Sequence, residues 1–131
     1  MEKTYLQPGT LHEPFSNYSH GIVVEGAKRL IFCAGQVAGD KDGNILGEGD
    51  FEAQQQQVMS NLKDVLAEAG ATLADVVKVT LYVVNQDDVP KARDILREHF
   101  ADSRPASTLC VLRGLADPRF LVEVEAMAVV G

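Results

Sequence analysis

Period-two alternation of apolar and polar residues predicts five β-strands. The strongest signal is VVKVTLYVV (76–84), in which the odd-numbered residues are apolar and form one face. The stretch GIVVEGAKRLIFCAGQVA (21–38) indicates two strands joined by a tight turn at Gly26-Ala27. Two more strands are predicted in ASTLCVLRGL (106–115) and LVEVEAMAVVG (121–131).

The terminal strand is apolar on both faces except for two carboxylates. Its even-numbered face, from Val122 to Val130, is wholly apolar, and the odd-numbered face is interrupted by Glu123 and Glu125. A strand with a solvated outer face would alternate polar residues along its whole length. We therefore expect both glutamates to lie at or near a subunit interface.

Two helices are predicted by apolar residues spaced three and four apart. The first covers FEAQQQQVMSNLKDVLAEAG (51–70) and ends at Gly70, and the second covers DDVPKARDILREHF (87–100), with Asp87 or Asp88 as its cap. The run of four glutamines (54–57) is predicted to be solvated helical surface. The expected buried positions are Phe51, Val58, Leu62, Val65, Leu66 and Ala69 in the first helix, and Val89, Ala92, Leu96 and Phe100 in the second.

The order of elements predicts one α+β domain over residues 1–131. Each helix lies between strands and has one apolar side, so both helices should pack on the same face of a single mixed sheet. No helix remains to cover the other face, which includes Leu121, Met127 and Val129. An uncovered apolar sheet face of this size usually meets another subunit, so we predict an obligate homo-oligomer.

Composition and charge exclude several classes of function. With 19 acidic and 12 basic residues the formal net charge is −7, which disfavours nucleic-acid binding. The chain shows no secretory signal and no apolar run long enough to cross a membrane, and a cytoplasmic protein is expected. Cys33 and Cys110 form no CxxC motif and are predicted to be buried free thiols, and the three histidines are too scattered to suggest a metal site.

Five segments, which span most of the chain, resemble the Rid (YjgF-like) family of reactive-intermediate deaminases. They are EPFSNYSHG (13–21), LIFCAGQVAGDKDGNI (30–45), AEAGATLADVVKVTLYV (67–83), RPAST (104–108) and LVEVEAMAV (121–129). The resemblance implies a chorismate-mutase-like α+β fold, a mixed six-stranded sheet with two helices on one face. It also implies a homotrimer whose sheets line a central barrel, with pockets between subunits. Many members hydrolyse enamines or imines, such as 2-aminoacrylate, without a metal or cofactor.

The resemblance assigns roles to three residues of this sequence. The family's pocket tyrosine matches Tyr18, and the glycine whose backbone N–H meets the ligand matches Gly35. The glutamate associated with the reacting water matches Glu123. The resemblance thus implies Glu123 and Tyr18 as catalytic residues.

The chain departs from the deaminase pattern at three positions. The arginine that grips a substrate carboxylate falls on Ser107, the pocket cysteine falls on Leu109, and an asparagine before the second helix falls on Asp87. Cys110 is one residue out of phase with the family's cysteine and should point to the opposite face. Loss of a bidentate, permanently charged clamp weakens binding of a carboxylate by roughly two orders of magnitude or more.

Two explanations for the missing arginine stay open. Either the substrate has no carboxylate, or another cation reaches it, for which His20, Arg113 and Arg119 are the candidates. The remaining substrate-binding candidates are Gly35, Ser107, Thr108, His20 and Asp87. A Ser/His/Asp triad can be written with Ser107, His20 and Asp87, but no nucleophile motif supports it.

Three functions are compatible with these residues. The first is hydrolysis of a small imine or enamine other than 2-aminoacrylate, and the second is a non-catalytic trimer that binds a metabolite. The third is an endoribonuclease or translation inhibitor, which the net charge of −7 disfavours. In purely structural terms, Glu123 can form an intersubunit ion pair, and Glu125 can pair with Lys78 on a neighbouring strand.

Overall fold

The computed structural model describes residues 1–131 and contains six strands and two α-helices. The strands are β1 (Glu2–Leu6), β2 (Gly21–Glu25), β3 (Arg29–Gln36), β4 (Val76–Val83), β5 (Ala106–Val111) and β6 (Val122–Val130). The helices are α1 (Phe51–Glu68) and α2 (Val89–His99), and short 3₁₀ turns at Leu73–Asp75 and Gln86–Asp88 precede β4 and α2.

The six strands are divided between two sheets of two and four strands, which corrects the expected single six-stranded sheet. Strands β3, β6, β4 and β5 form a mixed sheet in that order, in which β4 and β5 are parallel and the other pairs are antiparallel. Strand β2 pairs with β1, so the hairpin predicted around Gly26-Ala27 is wrong. The sequence did not reveal β1 because its residues, EKTYL, are mostly exposed and have no apolar face.

Both helices pack on one face of the four-stranded sheet, as predicted. In β4 and β6 the core-facing residues are fully or almost fully buried, and they meet the apolar side of α1. Several helix positions differ from the prediction. Val65 is exposed, Phe51 and Ala69 are half-buried, Met59 is buried although it was not expected to be, and Ile95 is buried where Leu96 was expected. Leu96 is half-buried because it borders a cavity between α2 and the sheet.

The glutamine run is not a solvated surface, which corrects the prediction for residues 54–57. Gln54 and Gln55 are completely buried. The Gln54 amide donates to the Arg119 carbonyl at 2.8 Å and accepts from the Leu121 N–H at 2.8 Å. A long amide side chain can be buried when it hydrogen-bonds backbone groups that helices and strands leave unpaired. The helical period of the sequence does not reveal such a partner, because the partner is distant in the chain.

The opposite face of the sheet carries no helix. Leu30 and Phe32 of β3 are 59% and 70% exposed there, and Met127 of β6 is half-buried beside them. This face, defined by Leu30, Phe32, Glu123, Glu125 and Met127, is called the open face below.

Candidate functional site

Glu123 lies on the open face, with its carboxylate directly over Gly35. Its neighbours Val122 and Val124 point to the helices and are completely buried, so strand alternation directs Glu123 the other way. A Cβ atom added to Gly35 would overlap the Glu123 carboxylate, so this close approach requires glycine. The structure therefore brings together two of the residues that the sequence nominated.

Tyr82 stands beside both glutamates on the open face. It is the register partner of Glu123, and its hydroxyl donates a hydrogen bond to the Glu125 carboxylate. That hydrogen bond, together with burial and the nearby negative charges, raises the pKa of Tyr82 to about 12. Lys78 instead donates to the Thr108 hydroxyl at 2.8 Å, so the partner predicted for Glu125 is corrected from Lys78 to Tyr82.

A second group of candidate residues lines a cavity of about 190 Å³ between α2 and the helix-facing side of the sheet. Tyr18 and Ser107 both border it, and Leu109 lies there in place of the family's cysteine. Cys110 pairs with Tyr82 in register and lies on the open face, as the strand parity predicted. Both cysteines are free thiols, but only Cys33 is buried as predicted, because Cys110 is half-buried on that uncovered face. The remaining lining residues are Ser16, Asn17, Val79, Leu81, Arg93, Leu96, Arg97, Phe100 and Pro105.

The loop before β2 holds the polar wall of this cavity in place. The Asn17 amide donates to the Phe100 carbonyl at 3.3 Å, and the Tyr18 hydroxyl accepts from the Phe15 N–H at 3.3 Å. Because that hydroxyl accepts from the backbone, its own proton remains free to donate. Tyr18 can therefore offer a hydrogen bond to a molecule in the cavity.

Four other predicted residues neither line the cavity nor contact Glu123 or Gly35. His20 contacts Tyr18 edge to face, with ring centroids 6.0 Å apart, but its Nε2 bonds the His12 carbonyl at 2.8 Å. Asp87 is exposed in the 3₁₀ turn before α2. Arg113 is exposed after β5, and hydrogen bonds from Arg119 lower the pKa of Asp117 to about 2. None of these four residues lines the cavity.

Within one protomer, the two groups face opposite sides of the sheet. Ser107 is the register partner of Val79, which is buried on the helix side, whereas Glu123 is on the open face. The side chains of Glu123 and Ser107 therefore point away from each other in a single chain.

The structure adds two cavity residues that the sequence reasoning missed. Arg93 and Arg97 are four residues apart in α2, and both line the cavity with Leu96 and Phe100. Residues at this spacing share a helix face. Their position next to the predicted apolar stripe of α2 was the sequence signal that could have placed them at the edge of the cavity.

The structure contains neither a cluster of metal-ligating side chains nor a helix suited to crossing a membrane. No group of three or more histidine, cysteine, aspartate or glutamate side chains is arranged to hold a metal ion. Neither α-helix combines the length and the apolar character that crossing a membrane requires.

Comparisons with known proteins place the chain in one family. The model of the Endoribonuclease L-PSP family matches residues 10–130. A RutC family protein of Pyrococcus abyssi is 37% identical over 128 residues, which cover 98% of each chain. A RutC family protein of Pyrococcus horikoshii is 34% identical over 116 residues, which cover 88% of this chain and 89% of that protein. The crystal structure of YyfB from Yersinia pestis, a Rid family protein of unknown function, has a TM-score of 0.88 at 34% identity and covers 99% of this chain and 100% of its own. The chain therefore belongs to the Rid (YjgF-like) family, whose domain is described as Endoribonuclease L-PSP.

Proposed function

We propose that this protein hydrolyses a small imine or enamine to a carbonyl compound and ammonia, in a pocket between the subunits of a homotrimer. The observation that carries the proposal is the half-buried Glu123 carboxylate lying over Gly35 on the open face. A carboxylate held against a bare backbone, on a surface rich in apolar side chains, is suited to proton transfer with a bound water.

The pocket must be shared if it is to use both groups of residues. Glu123 and Gly35 lie on the open face, whereas Tyr18 and Ser107 line the cavity on the helix side. One chain cannot direct both groups at one small molecule, but the open face of one protomer can meet the cavity edge of the next. The exposed Leu30 and Phe32 provide an apolar surface for such an association.

Imine hydrolysis needs few groups. An enamine first takes a proton on carbon and becomes the protonated imine, a cation that a nearby carboxylate stabilises. Water then adds to the imine carbon while Glu123 accepts one of its protons. Glu123 returns that proton to nitrogen, the C–N bond breaks, ammonia leaves, and the hydroxyl group loses its proton to form the carbonyl.

The other candidates orient the ligand in this proposal. The Gly35 N–H and the Tyr18 and Ser107 hydroxyls are donors for its polar end. Thr108 belongs with the open-face group, because it accepts from Lys78 on that side. His20 sits behind Tyr18, and Asp87 remains a prediction without a contact to either group.

Exchange of Glu123 for glutamine tests the proposal. Ammonia release from a panel of imines, generated in solution, should fall by roughly 10²- to 10⁴-fold in Glu123→Gln, because the proton acceptor is lost. Glu125→Gln is the matched control: it removes the same charge from the same face of β6, and it should retain turnover. Undiminished turnover in Glu123→Gln would refute the assignment of that residue.

The alternatives predict different results. A non-catalytic metabolite-binding trimer would show saturable ligand binding in a thermal-shift assay and no turnover of any imine. An endoribonuclease would cleave RNA, but the net charge of −7 repels phosphate backbones. RNA cleavage that persisted in Glu123→Gln would not come from the proposed site.

A further inference from the structure

Two guanidinium groups border the cavity beside Ser107, and imine hydrolysis by Glu123 gives them no role. Arg93 and Arg97 lie four residues apart on α2, so their side chains are neighbours. Like charges at this spacing slightly destabilise a helix. The stability of α2 therefore does not explain the presence of Arg93.

The two arginines differ in how far their charge is compensated. Arg97 forms an ion pair with Asp94 at 3.3 Å, and its other terminal nitrogen donates to the Ser16 hydroxyl at 3.3 Å. The two other ion pairs in the structure join Lys91 to Glu52 and Arg119 to Asp117, which leaves Arg93 without an acidic partner. In a chain of net charge −7, the cavity thus has an uncompensated positive charge at its edge.

The rest of the lining indicates the kind of molecule that fits. Half of the lining residues are apolar, and they include Val79, Leu81 and Phe100. The cavity volume of about 190 Å³ is somewhat larger than the roughly 150 Å³ cavity that accommodates benzene. This combination suits a small molecule with a short apolar body and one anionic end.

We propose that Arg93, with Arg97 beside it, anchors the carboxylate of a small aliphatic acid in this cavity. The planar guanidinium of Arg93 matches a carboxylate in a bidentate geometry. The apolar walls take the aliphatic chain, and the Tyr18 hydroxyl has a proton free to donate. One uncompensated positive charge suits a monoanion better than a phosphate dianion.

As a substrate subsite, this inference rests on the proposed function. The substrate is then an imine that carries a carboxylate. The arginine that binds this carboxylate is Arg93 on α2, and not a residue at position 107. This assignment also selects between the two explanations for the missing arginine, because a cation does reach the cavity, although it is not His20, Arg113 or Arg119.

Direct binding tests the anion site independently of turnover. In ¹⁵N-NMR titrations at constant ionic strength, butanoate should shift the amide signals of Leu96, Ser107 and Leu109. Arg93→Gln should weaken that binding roughly tenfold or more, since hydrogen bonds to charged groups are lost. Arg93→Lys keeps the positive charge but loses the planar guanidinium group, so its affinity for butanoate should lie between those of Arg93→Gln and the parent.

Matched controls separate a specific clamp from general charge. Lys91→Gln removes one positive charge from the same helix, at a residue that faces Glu52 and not the cavity, and should bind butanoate like the parent. Butanamide, which has the same shape without the charge, should bind weakly and be insensitive to Arg93→Gln. No butanoate binding, equal weakening in Lys91→Gln, or tighter binding of inorganic phosphate than of butanoate would each overturn the proposal.

Kinetics distinguish failure of this inference from failure of the proposed reaction. For a carboxylate-bearing imine, Arg93→Gln should raise KM and leave kcat nearly unchanged, whereas Glu123→Gln should lower kcat and still bind butanoate. Butanoate binding with undiminished turnover in Glu123→Gln would sink the proposed reaction alone. Arg93-independent binding together with Glu123-dependent turnover would sink the clamp alone.

Discussion

At the residue scale, the candidate site depends on the absence of one side chain. Gly35 leaves the space that the Glu123 carboxylate occupies, and its backbone dihedral angles do not lie in the left-handed region that favours glycine. Glycine is therefore required at position 35 for space and not for conformation. An alanine there would fit the backbone but would push the carboxylate away.

We predict that Gly35→Ala lowers imine hydrolysis by tenfold or more, because a displacement of about 1 Å at a reacting group can reduce the rate roughly a hundredfold. The free energy of unfolding should change by less than about 1 kcal/mol, since the carboxylate can swing to solvent. Gly39→Ala is the control, as its added Cβ would meet nothing closer than the Asn44 carbonyl at 3.9 Å. Parent-like turnover in Gly35→Ala would contradict the assignment, and unfolding curves would show whether either variant is damaged.

At the element scale, helix α1 determines where β6 begins. The Gln54 amide bonds the backbone on both sides of Phe120, at Arg119 and Leu121, immediately before the strand that carries Glu123. This one buried side chain satisfies a carbonyl and an N–H that no strand partner reaches. It therefore links the packing of α1 to the position of the proposed catalytic carboxylate.

Gln54→Ala should lower the free energy of unfolding by about 2 kcal/mol, because two partly buried backbone groups lose their hydrogen bonds. Chemical denaturation at neutral pH measures this change. Gln57→Ala, on the same helix, is the comparison, because the Gln57 amide donates one hydrogen bond to another side chain, the Asn61 Oδ1. Asn61 keeps its own bonds to the Val37 and Gly39 carbonyls, so a loss below about 1 kcal/mol is expected. Equal stability losses in the two variants would show that Gln54 does not hold the start of β6.

At the scale of the whole molecule, the open face is the main unexplained surface of the protomer. Phe32 is 70% exposed and Leu30 59% exposed, although both belong to strand β3, which is paired with β6 at these positions. Large apolar side chains exposed together on a sheet face are typical of subunit contacts. The proposed homotrimer would bury them.

Light scattering of the parent should give three times the 14.2 kDa chain mass. Phe32→Glu should shift the protein to monomers with retained helix signal and lost turnover, because a carboxylate would be buried without a partner. Val65→Glu, which alters an exposed apolar residue on α1, should leave the assembly intact. A monomeric parent at micromolar concentration would refute both the trimer and the shared pocket.

The sequence by itself determined the two helices on one face of a mixed sheet and the directions of Ser107, Cys110 and Glu123. These follow from periods of 3.6 and 2.0, which are local properties of the chain. Gly35 and Tyr18 came from the resemblance, and the structure then placed Gly35 against Glu123 and Tyr18 beside Ser107.

The tertiary structure alone decided the features that depend on residues distant in the chain. Strand β1 pairs with β2 despite its polar sequence. Gln54 is buried because its amide hydrogen-bonds a loop 65 residues away in the chain. Glu125 accepts a hydrogen bond from Tyr82 and not, as predicted, from Lys78. Arg93 and Arg97 border the cavity because α2 lies across it from Ser107 and Leu109 of β5, and the helical period does not indicate which strand a helix face meets. Hydrogen-bond partners and cavities depend on which helices and strands come together in the fold. The local alternation of apolar and polar residues does not contain that information.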